Sequence, residues 1–187
     1  MVAERQPRSA SDRFQLVQAW RHAPDCPAYC LRSLAPAQTV DPQKARQLIA
    51  EGVRFIQEER LSEAADRFRK ATEADPYNAD AANNLGLVLR RQKKFPEAVK
   101  AFETALRLRP DEARIHSNLT LALQDLGQIA AAVAAMKRAY ALQPENITIR
   151  RNLGVLDWKL GEEIQARGDL IGALPRFCQA VELAADT

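Results

Sequence analysis

Three residues near the N-terminus carry groups that bind metal ions. His22, Cys26 and Cys30 follow one another at intervals of four, so on one continuous helix they would share a face and could hold zinc. Pro24 and Pro27 interrupt any such helix, and the sequence offers no evident fourth ligand. We therefore expect no metal site.

Catalytic groups do not form a recognisable set either. The sequence has no glycine-rich phosphate loop and no paired-carboxylate arrangement of note, and His116 does not belong to a recognisable acid–nucleophile set. Cys178 stands apart from the other two cysteines, and we expect it to be a buried packing residue. The chain is predicted not to be an enzyme and to use no cofactor.

The most regular polar feature is a row of asparagines, Asn84, Asn118 and Asn152, spaced 34 residues apart. An amide both donates and accepts hydrogen bonds, so amides at a fixed interval could hold the backbone of an extended peptide whatever its side chains. The alternative is that these amides serve solubility and local hydrogen bonding. Peptide contact requires an architecture that puts residues 34 apart on one face.

Small and apolar residues share this period. Pro76, Pro110 and Pro144 mark it. The residues twelve, eight and five positions before each proline are Ala64, Phe68 and Ala71; Ala98, Phe102 and Ala105; and Ala132, Met136 and Ala139. The pair Leu85-Gly86 returns in a later repeat as Leu153-Gly154. A period of this length is typical of a solenoid of stacked helix pairs.

This pattern resembles the tetratricopeptide repeat (TPR) family over roughly residues 45–184. The resemblance implies an all-α fold, in which helix–turn–helix repeats build a right-handed superhelical solenoid. We place a TPR domain at 45–187, with repeats near 45–78, 79–112, 113–146 and 147–187. In each repeat, here called helix A then helix B, small residues let the two backbones approach and proline ends helix B. The predicted helices are 45–58, 61–74, 79–92, 95–108, 113–126 and 129–142.

The fourth repeat departs from the pattern. Asp157 stands where an apolar residue belongs. The small and aromatic residues of its helix B arrive seven residues late, at Ala173, Phe177 and Ala180. Seven residues are close to two helical turns, so the inner face keeps its phase. We predict a helix A that extends to about Arg167, a turn at Gly168 and Asp169, and a helix B near 170–184. A longer loop after a helix of ordinary length is the alternative.

Residues 1–10 are predicted to be a disordered leader, and residues 11–44 an N-terminal helix, near 11–22, followed by a linker. Because Pro42 lies 34 residues before Pro76, a degenerate extra repeat is the alternative, although Pro36 would break its helix B. We expect the helix to cap the solenoid through its apolar residues Phe14, Val17 and Trp20. It would cover part of a groove lined by Ile49, Ala50, Val53 and Ile56, or serve as an ordinary end cap.

In TPR proteins the A helices line a concave groove, and the resemblance implies that a peptide or partner binds there. The implied contact residues are Asn83, Asn84, Leu87, Arg114, Asn118, Leu121, Arg151, Asn152, Val155 and Trp158. Trp158 would be an energetic hot spot, or would instead pack within the fourth repeat. Chaperone-tail TPR domains use a lysine and an asparagine at positions that hold Ile49 and Val53 here, or Asn83 and Leu87 one repeat later, so their specificity is not expected.

The sequence therefore predicts a protein–protein interaction module or assembly scaffold. Self-assembly through Ile171, Leu174 and Val181 of the C-terminal helix, or a regulatory role in a larger complex, is the alternative. A net charge of +3, with no repeat of strong net charge, does not suit nucleic acid. The absence of an apolar stretch of about 20 residues and of an apolar leader argues against membrane insertion and for the cytoplasm.

Overall fold

The computed structural model describes residues 40–185, which form helices joined by short turns and contain no strand. The helices are α1 (Pro42–Gln57), α2 (Leu61–Ala74), α3 (Ala79–Arg91), α4 (Phe95–Leu108), α5 (Ala113–Asp125), α6 (Ile129–Leu142), α7 (Ile147–Ala166) and α8 (Leu170–Ala185). The predicted leader, the N-terminal helical cap, the degenerate repeat and the His22–Cys26–Cys30 cluster lie outside the described residues.

The helices stack in chain order. Each helix packs against the next one, and α3 also contacts α1 and α5. The odd-numbered helices are therefore A helices, of which α3 lies beside both α1 and α5, while the even-numbered helices are B helices. This is the all-α solenoid of helix pairs that the sequence predicts. No helix within residues 40–185 is both long enough and apolar enough to cross a membrane.

Residues that repeat every 34 positions form the core. Ala64, Ala98 and Ala132 are completely buried in the B helices, as are Phe68 and Phe102. Each phenylalanine ring lies directly on a glycine of the preceding A helix. A methyl group on Gly52 would approach Phe68 to 2.8 Å, and one on Gly86 would approach Phe102 to 2.6 Å. Helices A and B thus pack closely because the glycines have no side chain.

The fourth repeat is extended as predicted, because α7 has 20 residues where α3 and α5 have 13 each. It ends at a turn in which Gly168 adopts a positive φ of 87°. The contact between glycine and aromatic ring has moved by seven residues as well. Phe177 packs on Gly161, where an added methyl group would approach the ring to 2.7 Å. A methyl group added to Gly154 would have no neighbouring atom closer than 3.4 Å. The sequence suggested that Gly154 is equivalent to Gly86. This is wrong, because Gly161, and not Gly154, makes the contact with the aromatic ring.

Asp157 lies in the middle of α7 and is completely buried. Its Oδ1 atom is 3.2 Å from Nη1 of Arg176 on α8 and 3.9 Å from Nζ of Lys137 on α6. Its Oδ2 atom accepts no hydrogen bond from the described part of the chain. A carboxylate thus replaces the expected apolar residue, and two cations on neighbouring helices compensate its buried charge.

Polar side chains also cap and connect the helices. Asp41 accepts a hydrogen bond of 2.9 Å from the backbone N–H of Lys44, with Pro42 as the first residue of α1. At the next turn, Arg60 pairs with Glu58 at 2.8 Å and with Glu63. Hydrogen bonding from this guanidinium holds the pKa of the Glu63 carboxyl below its ordinary value.

Candidate partner-binding surfaces

Three successive A helices, α3, α5 and α7, carry the asparagine row at equivalent positions. Asn84, Asn118 and Asn152 are each partly exposed. They occupy one face of the stacked A helices, which we call the A-helix face. Partly exposed amides on parallel helices can exchange hydrogen bonds with a chain that lies across the helices.

Polar bonds join α3 and α5, two neighbouring A helices of this face. The Nδ2 atom of Asn118 donates a hydrogen bond of 2.9 Å to Oδ1 of Asn83 on α3. Arg90 of α3 pairs with Asp125 of α5 at 2.5 Å. Asn83 is 0% exposed, so its predicted contact with a partner does not fit its position. Asn83 instead accepts the hydrogen bond from Asn118. Its burial could not be recognised from the 34-residue period alone.

The other predicted contact residues differ in their exposure. Leu121 and Val155 are exposed, and Leu87 is partly exposed. Arg114 is exposed but pairs with Asp80 of α3 at 3.3 Å. The A-helix face therefore presents apolar side chains between amides. The positive charge of Arg114 on this face is already paired with Asp80.

The first repeat presents less apolar surface than the sequence suggested. Val53 and Ala50 are exposed, but Ile49 and Ile56 pack against buried residues of α2 and α3. They do so because they face the following repeat rather than the open side. Two of the four expected groove residues are therefore exposed, and the other two are only partly exposed.

A cleft of about 580 Å³ lies between α7 and α8. Arg151, Val155 and Trp158 line it together with Lys159, Glu162 and Val181. The Trp158 ring lies 4.7 Å from that of Phe177, and its Nε1 atom donates a hydrogen bond of 3.1 Å to Glu162. Trp158 nevertheless remains 46% exposed. It therefore packs within the fourth repeat, as one of the two sequence interpretations expects, while its role as a hot spot stays a prediction.

An apolar stripe covers the outer side of α8 next to this cleft. Ile171, Leu174 and Val181 are 83%, 59% and 58% exposed, and Cys178 between them is also exposed. The expectation that Cys178 is buried is wrong, because the buried side of α8 is formed by Ala173 and Ala180. The spacing of these alanines from the cysteine could have indicated this.

The sequence profile of the tetratricopeptide repeat family matches residues 49–116 and 117–177. The first TPR domain of Spaghetti (RPAP3), solved with the HSP90 peptide SRMEEVD, is 28% identical; the match covers 65% of this chain and 97% of that chain, with a TM-score of 0.63. The first TPR domain of human RPAP3 is 25% identical over 67% of this chain and 98% of that chain, with a TM-score of 0.63.

A longer match of lower identity is found in MamA, whose crystal structure is 17% identical over 97% of this chain and 98% of that chain. Its TM-score of 0.61 supports a shared fold alone. No curated protein matches the sequence. The similar structures thus agree with the superhelical solenoid that the sequence predicts.

Proposed function

Because the chain belongs to the tetratricopeptide repeat family, we propose that it is a protein–protein interaction module that holds an extended segment of a partner on its A-helix face. The observation that carries this proposal is the asparagine row. Its three amides are partly exposed at equivalent positions of successive A helices. The role assigned to the chain is that of an adaptor or scaffold without a reaction of its own.

The spacing of the row suits an extended peptide. Packed helices lie about 8–10 Å apart, and an extended chain advances about 3.3 Å per residue. Each asparagine would therefore meet the peptide backbone about every third residue, and a segment of about seven to nine residues would reach all three. Exposed Arg151 and Lys159 at one end of the row favour a segment with an acidic residue there.

The resemblance to a peptide-bound TPR domain supports the general mode of binding but not the same ligand. Ile49 and Val53 occupy the positions of the lysine and asparagine that chaperone-tail domains use. An apolar side chain cannot pair with a terminal carboxylate. We therefore propose that this chain selects a segment by its backbone and its apolar residues rather than by a C-terminal carboxylate.

A displayed peptide library provides the test. Peptides selected on the chain are measured by isothermal titration against the triple variant Asn84→Ala, Asn118→Ala, Asn152→Ala. Each lost amide bond contributes about 1 kcal/mol, so the three together predict a Kd about 100-fold weaker. The control changes Lys70, Glu103 and Arg138 to alanine, which are exposed on the B helices, and should leave the Kd unchanged. Equal affinity for both variants refutes the proposal.

A second candidate function is self-assembly, and the apolar stripe of α8 favours it. Exposed side chains at intervals of three and four residues are the pattern of a helix that packs against another helix. We propose that copies of the chain associate through this helix. Light scattering on the purified protein tests this, because a mass that stays monomeric at every concentration refutes it.

A further inference from the structure

We propose that the terminal face, which consists of the α7–α8 cleft and the apolar stripe of α8, binds the same face of a second copy and closes a two-fold dimer. This inference rests on the self-assembly proposed above and specifies its geometry. The peptide-binding proposal rests on Asn84, Asn118 and Asn152, which do not line this cleft, although both proposals use Arg151 and Lys159.

Among residues 40–185, no helix covers the terminal face in the way that the next A helix covers the equivalent surfaces of the other repeats. Leu174 and Val181 occupy the positions of Val133 and Tyr140 in α6, which pack into a cluster with Leu153 of α7. The equivalent residues in α4 are Val99 and Leu106, and they pack against α5 residues such as Ile115. In α8 these positions face no further A helix within the described residues and remain exposed.

The α7 side of the terminal face shows the same lack. Earlier A helices reach the following repeat through the positions that hold Arg151 and Trp158 in α7. At the first of these positions Asn83 binds Asn118, and at the second Arg90 binds Asp125. Arg151 and Trp158 instead line the cleft and are exposed. The exposed residues of the terminal face thus occupy positions that contact a following helix in the earlier repeats.

The surface of α1, at the other end of the described helices, is not suited to pack against the terminal face. Glu51 and Arg54 of α1 occupy the positions of Leu85 and Val88 in α3, which face the preceding repeat. Both charged residues are exposed, and Glu51 pairs with Arg67 at 3.2 Å. A head-to-tail stack would press these charges against Leu174 and Val181, and burying charge without a partner is unfavourable. The apolar terminal face is therefore better matched by itself than by the α1 end.

Its charges are also self-complementary. Arg151 and Glu162 lie at opposite ends of the α7 part of the cleft, with Trp158 between them. A two-fold axis in the plane of the interface, crossing α8 near Cys178, would run each helix antiparallel to its copy. It would place Arg151 of one copy opposite Glu162 of the other. Trp158 and Cys178 lie at the same level, because Trp158 contacts Phe177, so one axis satisfies both helices.

The size of the face predicts a reversible dimer. Two adjacent helices, each about 10 Å wide and about 24–30 Å long, offer about 500–600 Å² per copy. The total of about 1,000–1,200 Å² lies at the lower end of specific interfaces. We therefore expect the mass measured by light scattering to rise from one copy to two, and no further, as the protein concentration increases.

The geometry is tested by cross-linking a variant in which Cys26 and Cys30 are changed to serine, so that Cys178 is the one remaining thiol. A short bismaleimide joins two thiols without any redox step. The two-fold arrangement predicts a Cys178–Cys178 cross-linked dimer in high yield. Leu174→Glu should abolish both the dimer and the cross-link while its circular dichroism melt stays unchanged. Tyr77→Glu, which alters a still more exposed side chain in the turn between α2 and α3, should change neither.

The outcomes separate the two proposals. Masses that increase beyond two copies, without the Cys178 cross-link, would leave self-assembly standing and overturn the two-fold geometry in favour of a head-to-tail stack. A monomer at every concentration would overturn both. A dimer that persists in Leu174→Glu would place the interface elsewhere and overturn the assignment of the terminal face.

Discussion

Gly154 and Gly161 lie in the same helix, and Gly161→Ala should be clearly less stable than Gly154→Ala. Both variants gain about 1 kcal/mol of helix propensity, because alanine restricts the unfolded chain more than glycine does. The added methyl group meets ordinary contacts at Gly154, the nearest at 3.4 Å. At Gly161 it would lie 2.7 Å from the Phe177 ring, so the ring or the helix must move.

The difference between the two variants isolates the cost of this clash, since the propensity gains cancel. Overpacking in a close-packed region costs about 1–3 kcal/mol. Gly154→Ala should therefore stabilise the protein by up to about 1 kcal/mol. Gly161→Ala should be less stable than Gly154→Ala by about 1–3 kcal/mol, which corresponds to about 2–4 °C in Tm for each kcal/mol.

Urea unfolding followed by circular dichroism measures both free energies. The control repeats the Gly161→Ala change in a Phe177→Leu background, where the smaller side chain should remove most of the penalty. Equal stability of the two alanine variants, or a larger loss for Gly154→Ala, would refute the conclusion that the helix contact in the fourth repeat has moved by seven residues.

The remaining predictions concern polar residues and ligand choice. Asn118→Ala should lower the unfolding free energy by about 1–3 kcal/mol, because it leaves the buried amide oxygen of Asn83 unpaired; urea unfolding should show a smaller loss for Asn152→Ala, and an equal loss would contradict this. Arg176→Met should lower the unfolding free energy by about 3 kcal/mol, because it removes a cation that pairs with the buried charge of Asp157. Asp157→Asn should lower it by only about 1 kcal/mol, because the cations that lose their partner can reach water. A larger loss for Asp157→Asn in the same assay would contradict this. The peptide SRMEEVD should show no saturable binding in fluorescence polarisation, and saturable binding at micromolar concentration would show that the substituted clamp positions do not decide the specificity.

The repeat architecture was accessible to sequence reasoning because it depends on local steric requirements. Each buried phenylalanine needs a small residue opposite it, and these pairs return at one period, as with Phe68 and Phe102. The extended α7 was also predictable, since an insertion of two helical turns preserves the buried face. The same reasoning misassigned Gly154, although the constant 16-residue separation from glycine to phenylalanine identifies Gly161.

Features that depend on contacts between repeats were less accessible. Asn83 and Asn84 are neighbours with the same side chain, yet one is buried between helices and the other is partly exposed. The buried ion pair of Asp157 joins residues 19 positions apart through the α7–α8 packing. A period fixes which residues are equivalent, but it does not say how far each lies from the neighbouring helix.

The central claim, that the A-helix face holds an extended peptide, is tested most directly by photo-cross-linking. A library-selected peptide carrying a photoreactive phenylalanine at successive positions is irradiated with the chain, and mass spectrometry locates the bonds. The account predicts cross-links to α3, α5 and α7 near Asn84, Asn118 and Asn152, which move along the row as the photoreactive position moves. Cross-links confined to the B helices or to the terminal face would contradict it.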